Sequence, residues 1–161
     1  MLLAAGINQR ITCVTIALIS SNCSYVGSMI GEILDFALLK YKNFVYAFGR
    51  NSIMTSEKYV AQKYSIQNSQ WQKIWSPPIR IHWYEVCAAW IYQDEIFVIF
   101  NSKSDIYSYS PIYDQYTRRI KIDSQQPKRS IFSYNDLLYI SKHNLGDKLC
   151  QLDQYCDGEI I

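Results

Sequence analysis

The residues best suited to nucleophilic chemistry in this sequence are a histidine and a cysteine five positions apart, His82 and Cys87. A cysteine attacks as its thiolate, and a histidine must lie within hydrogen-bond reach to remove its proton. Cys87 belongs to the stretch V-C-A-A-W, which is typical of a buried strand. Side chains five residues apart on a strand point to opposite faces of its sheet. We therefore expect Cys87 to be buried and predict no catalytic dyad.

Three further residues are of the types that bind zinc: His143, Cys150 and Cys156. Compact zinc modules hold the ion with four ligands at short, regular spacings. These three residues fit no such spacing, a fourth ligand is missing, and the sequence contains no C-x-x-C pair. The sequence thus predicts no metal site and no cofactor.

The acidic residues are dispersed, so they do not indicate a catalytic carboxylate pair. Asp94 and Glu95, Asp105, and Asp114 fall in separate polar breaks of the sequence, whereas glycoside hydrolysis, for example, needs two carboxyls flanking one bond. Motifs for a serine nucleophile, a phosphate-binding loop or a zinc protease are also absent from the sequence. We therefore expect that the protein is not an enzyme.

The charge distribution gives little support for nucleic-acid binding. The net charge is +2; residues up to Arg80 carry eight basic and three acidic groups, and the remainder carries eight basic and eleven acidic groups. One local basic group consists of Arg118, Arg119, Lys121, Lys128 and Arg129. Acidic residues lie on both sides of it, which favours a solvated strand edge over a phosphate-binding surface. No nucleic-acid partner is expected.

The composition indicates a folded chain rich in β structure. Apolar residues make up 49% and charged residues 19% of the 161 residues, and 14 tyrosines accompany only 6 glycines and 4 prolines. Aromatic and β-branched side chains pack well on pleated sheets. The five cysteines are odd in number and irregularly spaced, which does not fit a disulfide framework and favours reduced thiols in the cytoplasm.

An apolar run at residues 11–19 has two interpretations. It resembles the apolar segment of a signal peptide, which would make the protein secreted, because small polar residues follow it. Asn8, Gln9 and Arg10 interrupt the apolar character ahead of the run, so a buried strand is favoured. No run approaches the roughly 18 uninterrupted apolar residues of a membrane helix, and no membrane association is expected.

From residue 34 onward, short apolar runs alternate with polar breaks, and each run predicts a strand. Residues 35–43 are predicted as a strand followed by a turn, and the further predicted strands are 44–48, 57–65, 71–75, 85–92, 96–100, 105–109, 116–122, 130–134, 137–140 and 148–152. The breaks include a turn cluster at 49–52 and the pair Pro77-Pro78, because proline lacks the N–H that a central strand needs.

Two stretches of the sequence repeat one pattern. N-F-V-Y-A-F-G at 43–49 precedes Y-S-I-Q-N-S-Q-W at 64–71, and E-I-F-V-I-F-N at 95–101 precedes Y-S-P-I-Y-D-Q-Y at 109–116. Phe44 and Ile96 are taken as equivalent, 52 residues apart, and in both copies an aromatic follows a tyrosine by seven positions. A period of about 50 residues with four strands per unit is typical of propeller blades. A β-sandwich is the alternative.

The repeated residues resemble kelch repeats. The blade of that family has a second strand that ends in paired glycines and a third strand that ends in tyrosine, with a tryptophan seven residues later. The first unit keeps one glycine at Gly49 and matches the other two positions with Tyr64 and Trp71. In the second unit Tyr109 and Tyr116 stand at these two positions.

This resemblance implies an all-β chain of four-stranded antiparallel blades from a kelch-type β-propeller. The expected segments are a strand segment from the end of a preceding blade at 1–34, kelch-like repeats at 35–76 and 77–122, and a degenerate partial repeat at 123–161, with Leu152 in the tyrosine position. Propellers have about four to eight blades, so the set is incomplete. We expect a fragment of a longer protein, self-association that completes the propeller, or an open stack.

The resemblance also implies a protein partner, bound where the linkers into first strands and the loops after second strands converge. The residues expected to contact it are Arg50, Asn51, Arg80, His82, Trp83 and Lys103. The implied function is that of a non-catalytic scaffold or adaptor. The alternatives are a propeller-type oxidase or hydrolase with a site on its loops, and a nonfunctional fragment of a longer kelch protein.

Overall fold

The structure, a computed structural model, describes residues 11–16, 24–51, 59–76, 87–100, 105–121, 129–143, 150–156 and 159–160. Within these ranges the regular elements are thirteen β-strands, and their pairings are antiparallel. The all-β prediction is therefore confirmed for the described part of the chain. The chain divides into two compact units, Met1–Ile81 and His82–Ile161.

The first unit contains a five-stranded sheet, sheet 1, in the order β1-β2-β3-β4-β5. Its strands are β1 Ile11–Ile16, β2 Ser24–Tyr41, β3 Phe44–Asn51, β4 Tyr59–Ser65 and β5 Gln70–Ile74. The apolar run at 11–19 thus begins with a strand, as its β-branched residues favour.

The second unit contains two four-stranded sheets in which each strand pairs with the next along the chain. Sheet 2 consists of β6 Cys87–Tyr92, β7 Glu95–Phe100, β8 Asp105–Ser110 and β9 Gln115–Lys121. Sheet 3 consists of β10 Arg129–Tyr134, β11 Leu137–His143, β12 Cys150–Cys156 and β13 Glu159–Ile160.

The three sheets share one register between corresponding strand pairs: β3 with β4, β7 with β8 and β11 with β12. Val45 of β3 lies opposite Tyr64, and Ile96 of β7 lies opposite Tyr109. Val45 and Ile96 are therefore the equivalent residues, and the predicted equivalence of Phe44 with Ile96 is wrong by one position, because Phe44 lies opposite Ser65. A shift of one residue matters because it moves every side chain to the other face of a sheet.

The same register corrects the prediction for the third sheet. Leu138 of β11 lies opposite Tyr155 of β12, as Val45 lies opposite Tyr64. Leu152 lies opposite Ser141, so Leu152 is not at the tyrosine position. The prediction placed the tyrosine position at the end of a strand expected at 148–152. The strand β12 begins two residues later than that, at Cys150, and continues to Cys156, so the position lies further along the sequence.

Short turns close one end of each sheet, which we call the turn end; the opposite end is the loop end. Two residues join β6 to β7 and two join β10 to β11, and all four have φ between 48° and 62°, which defines type I′ turns: Gln93, Asp94, Asn135 and Asp136. Four-residue turns join β4 to β5 and β8 to β9. Their last residues, Ser69 (φ 53°) and Asp114 (φ 51°), are also left-handed.

A hydrophobic core cluster of the first unit lies on one face of sheet 1 and is covered by the beginning of β2, while Tyr46 and Phe48 are buried on the opposite face. Val45, Ala47 and Tyr64 of the sheet pack with Met29 and Ile33, and all five side chains are buried. β2 starts eleven residues before the predicted strand at 35–43. Its pairing with β3 shifts register between positions 34 and 37, and a left-handed glycine at position 31 (φ 84°) bends it locally.

Sheets 2 and 3 of the second unit pack face to face. Their shared core consists of Phe97, Ile99 and Ile106 from sheet 2 and Ile131, Leu138 and Ile140 from sheet 3. Hydrogen bonds between described residues cross the interface: the Trp90 indole Nε1 donates to Ser133 Oγ (2.9 Å), and the Tyr92 hydroxyl donates to the Asp136 carbonyl (2.8 Å). The turn ends of the two sheets therefore lie side by side.

Candidate functional site

Arg50 and Asn51 were expected in a turn, but both lie in β3. Arg50 lies opposite Leu34 on one side and Tyr59 on the other, and Asn51 lies opposite Ile33. Pairing with β2 and β4 keeps this backbone extended, so the strand continues beyond Gly49 and the turn prediction for 49–51 is wrong. Gly49 itself is buried inside the strand. Arg50 and Asn51 mark the loop end of sheet 1.

The other four expected partner contacts, Arg80, His82, Trp83 and Lys103, lie outside the described residues. The strands that precede and follow them are described. Residues 80–83 lie between the end of β5 and the start of β6, and residue 103 lies between the end of β7 and the start of β8. These strand ends are at the loop ends of their sheets.

The two tyrosine–aromatic pairs have the same geometry in sheets 1 and 2. Tyr64 lies directly opposite Trp71, with ring centroids 5.4 Å apart and planes tilted by 52°. Tyr109 lies directly opposite Tyr116, with centroids 4.9 Å apart and a tilt of 45°. A spacing of seven residues produces this contact because a four-residue turn joins the two strands and one further residue separates the turn from each ring. The two rings therefore lie directly opposite each other. These rings fix the outer strand of each sheet against the strand before it.

A serine and an aspartate help to hold these four-residue turns. Ser65 Oγ accepts a hydrogen bond from the Asn68 backbone N–H (3.2 Å), and the Tyr109 hydroxyl donates to Asp114 Oδ1 (2.8 Å). Asp114 is thus tied to the turn. The motif Y-S-x4-Q-aromatic is a structural one in both sheets.

A polar chain crosses the strands of sheet 2. Arg119 of β9 forms an ion pair with Glu95 of β7 (Nη2 to Oε2, 2.6 Å) and donates through Nε to Ser108 Oγ (2.8 Å). The register of β8 with β9 shifts beside Tyr107, which places Arg119 in a bulge. Arg119 was expected to belong to a solvated basic edge; like neighbouring Arg118 it is exposed, and its ion pair lies at the surface of the sheet.

Tyr107 carries the one resolved change in acidity among the described groups. Its side chain is 8% exposed, and burial raises the pKa of the phenol above its usual value of 10.0. Asp105 raises the pKa further through its charge and a hydrogen bond, and Arg118 lowers it. The phenol therefore remains protonated at neutral pH.

Large apolar side chains are exposed at the turn end of sheet 2, and the sequence reading did not anticipate them. Ile112 is 78% and Tyr113 is 74% exposed in the turn between β8 and β9. The sequence P-I-Y-D at 111–114 could have predicted this exposure, because it lies in a break between two predicted strands, where apolar side chains have no core to pack against.

The residues weighed for catalysis or metal binding do not form a site in the described part of the chain. There, no group of three or more His, Cys, Asp or Glu side chains is placed to hold a metal ion. Cys87 begins β6, and its proposed partner His82 lies outside the described residues. His143 lies opposite Cys150 in the register of β11 and β12, whereas Cys156 is at the other end of β12.

Comparisons with known proteins leave the chain without a family. No protein-family model matches it, and no curated protein is significantly similar to it in sequence. Within the described ranges, no helix is long and apolar enough to cross a membrane.

Proposed function

We propose that the protein is a non-catalytic protein-binding module whose sheets are blades of an incomplete kelch-type propeller. The single observation that carries this proposal is a contrast between the two ends of the sheets. At the turn end two residues join β2 to β3, β6 to β7 and β10 to β11. At the loop end the connections from β3 to β4, from β7 to β8 and from β11 to β12 differ in length: residues 52–58, 101–104 and 144–149.

This contrast supports binding at the loop end because fixed turns serve the fold, whereas connections of variable length and sequence carry recognition. The partner contacts of the proposal are Arg50, Asn51, Arg80, His82, Trp83 and Lys103. Among them Trp83 and the two arginines are of the types that dominate interface energetics. The mechanism is recognition alone: rigid sheets present loop side chains to a protein surface, and no covalent bond is made or broken.

The test is affinity capture with the full chain and two matched aromatic substitutions. Trp83→Ala removes a proposed contact at the loop end, and Tyr113→Ala removes an exposed aromatic at the turn end. We expect a specific protein to be captured by the wild type and by Tyr113→Ala, with at least about tenfold weaker capture by Trp83→Ala.

Cross-links between that protein and residues 80–83 or 103, located by mass spectrometry, would place it at the loop end. Equal capture by both variants would contradict the proposed surface, and the absence of any specific protein would contradict the proposed function.

A further inference from the structure

The beginning of β2 lies over the sheet that its second half helps to build. The pairing of β2 with β3 begins at Ile33. The residues before it, 24–30, are placed with residues 13–16 of β1 in a separate antiparallel ladder, and we call these two segments the flap. Met29 of the flap is buried in one cluster with Val45 of β3. The flap therefore covers the face of sheet 1 that carries Val45, which we call the core face.

In the second unit a neighbouring sheet covers the equivalent face. Val45 and Ala47 of the core face lie opposite residues 64 and 62, and sheet 3 has Leu138 and Ile140 at the same register positions. Sheet 2 packs against Leu138 and Ile140. The flap thus takes the place in the first unit that a whole sheet takes in the second.

The flap is held to the core face by the side chain of Gln62. Its Oε1 accepts from the Ile30 backbone N–H and its Nε2 donates to the Ile30 carbonyl, each at 2.8 Å. The Ile30 side chain is 41% exposed, so this residue is held through its backbone. The residues at the register position of Gln62 in sheets 2 and 3 are Tyr107 and Asp153, so this amide is particular to the sheet that has a flap.

The backbone between the flap and the rest of β2 is suited to act as a hinge. Gly31 is exposed and has a φ of 84°, and a Cβ built on it would meet nothing within 4 Å. The register of β1 with β2 also shifts here, between the pairs Ile11 with Ile33 and Cys13 with Ser28. A glycine at an interruption of the ladder lets the chain change direction at small steric cost.

We propose that the flap is a lid that opens as one unit about Gly31 while β3, β4 and β5 stay paired, with the Gln62 amide holding it closed. Opening exposes the apolar core face, which is the kind of face that receives a sheet in the second unit. Gly31 and Gln62 are not among the expected partner contacts, so failure of loop-end recognition leaves this proposal standing.

The experiment is native-state hydrogen exchange of the full chain, followed by NMR at increasing urea below the unfolding transition. We expect the Ile30 amide, which donates to Gln62, to exchange through an opening of lower free energy than the amides of residues 45–48. We also expect a shallower dependence on urea for Ile30, because opening the flap exposes less surface than unfolding the sheet.

Two variants test the hinge and the amide separately. Gln62→Leu removes both bonds to Ile30, and Gly31→Ala keeps those bonds but opposes the left-handed backbone at position 31. We expect exchange at residues 24–29 without urea to accelerate at least about tenfold in Gln62→Leu and at least about fivefold in Gly31→Ala. Gln72→Leu on the exposed side of β5 is the control and is expected to stay within about twofold of the wild type.

Either of two results would overturn the proposal. The first is a wild-type Ile30 amide with the same opening free energy and urea dependence as residues 45–48, which would mean that the flap opens only when the sheet unfolds. The second is exchange at residues 24–29 that is no faster in Gly31→Ala than in the control. Both results are obtained without Gln62→Leu, so they decide the proposal even if that variant does not fold.

Discussion

Gln62 is a fully buried amide whose two polar atoms are both used by one residue of another strand. Its Oε1 accepts from the Ile30 backbone N–H and its Nε2 donates to the Ile30 carbonyl, each at 2.8 Å. The Gln62 side chain thereby supplies the two backbone hydrogen bonds that a neighbouring strand would otherwise give to Ile30. These bonds hold the beginning of β2 over the core face of sheet 1. Because both partners are backbone groups, loss of the amide leaves two polar groups unsatisfied.

We predict that Gln62→Leu lowers the free energy of unfolding by about 2–4 kcal/mol. Leucine has a similar size but pairs with neither polar atom of Ile30. Gln72→Leu, on the exposed side of β5, is the matched control and is expected to change stability by less than about 0.5 kcal/mol. Urea unfolding measures both variants, and equal values for the two would show that the amide does not hold β2.

Tyr107 provides a second prediction at this scale, because its folded pKa lies above its usual value of 10.0. The folded protein keeps this proton at a pH where the unfolded chain loses it. Stability from Tyr107 is therefore fully present below pH 10.0 and is lost as pH rises through the folded pKa. Tyr107→Phe is expected to show a shallower decline of unfolding free energy above pH 10.0 than the wild type.

Urea unfolding at several alkaline pH values measures this slope. Tyr113→Phe, which removes a phenol from the exposed turn, serves as the control for the loss of one tyrosine. If Tyr107→Phe keeps the wild-type slope, burial does not perturb the Tyr107 phenol.

At the scale of elements, the outer strands are held by the aromatic pairs across the four-residue turns. Trp71 is 9% exposed, belongs to the core of the first unit and packs on Tyr64. Its indole Nε1 has no hydrogen-bond partner in the described part of the chain. The Trp71 ring therefore stabilises the fold through its burial and its contact with Tyr64. Among the described residues, no hydrogen bond of the indole N–H adds to this stabilisation.

We expect Trp71→Ala to destabilise the protein by about 3–5 kcal/mol, because it opens a cavity between β4 and β5. Trp71→Phe keeps an aromatic ring against Tyr64 and is expected to cost less than half as much. Thermal unfolding of the two variants compares them. A Phe variant as unstable as the Ala variant would mean that the indole N–H has a partner that this account lacks.

The type I′ turns give a prediction about backbone conformation. Asp136 has a φ of 58°, and only its carbonyl takes the hydrogen bond from Tyr92. Asp136→Gly keeps that carbonyl and relieves the left-handed strain, so we expect a gain of about 0.5–1 kcal/mol. Asp136→Val keeps the carbonyl but is β-branched, and we expect a loss of about 1–2 kcal/mol. Denaturant unfolding that ranks valine above glycine would contradict the turn assignment.

The sequence predicted elements well where the information is local. Alternating apolar runs placed the strands of sheets 2 and 3 to within about two residues for most ends, and the turn at Asn135-Asp136 follows from residue types that tolerate left-handed backbone. It failed where distant contacts decide. The contact of Gln62 with Ile30 joins residues 32 positions apart, so no local pattern showed that β2 begins at Ser24.

Prediction of the candidate site was limited for similar reasons. Gly49, Arg50 and Asn51 have the composition of a turn, yet strands on both sides keep them extended. The spacing of Tyr64 and Trp71 was visible in the sequence, but the one-residue error at Phe44 was not, because register depends on pairing with another strand. The contacts expected at residues 80–83 and 103 lie outside the described residues and stay predictions.

At the scale of the whole molecule, the two compact units repeat one strand pair: β3 with β4 in the first unit, and β7 with β8 and β11 with β12 in the second. Each of the three sheets places an aliphatic residue opposite a tyrosine, Val45, Ile96 and Leu138 being the aliphatic members. Because the register is shared, the connections that follow β3, β7 and β11 all lie at the loop end of their sheets. This repetition underlies the proposed function, because it defines the loop end of each sheet.

Nuclear Overhauser effects between backbone protons of opposite residues test this repetition most directly. The account predicts cross-strand signals for Val45 with Tyr64, Ile96 with Tyr109 and Leu138 with Tyr155. The third pair is decisive, because the spacing in the sequence had pointed to Leu152 in place of Tyr155. Signals that place Leu138 opposite Leu152, or no cross-strand signals at Leu138, would contradict a common register and remove the basis for treating the three sheets as repeats.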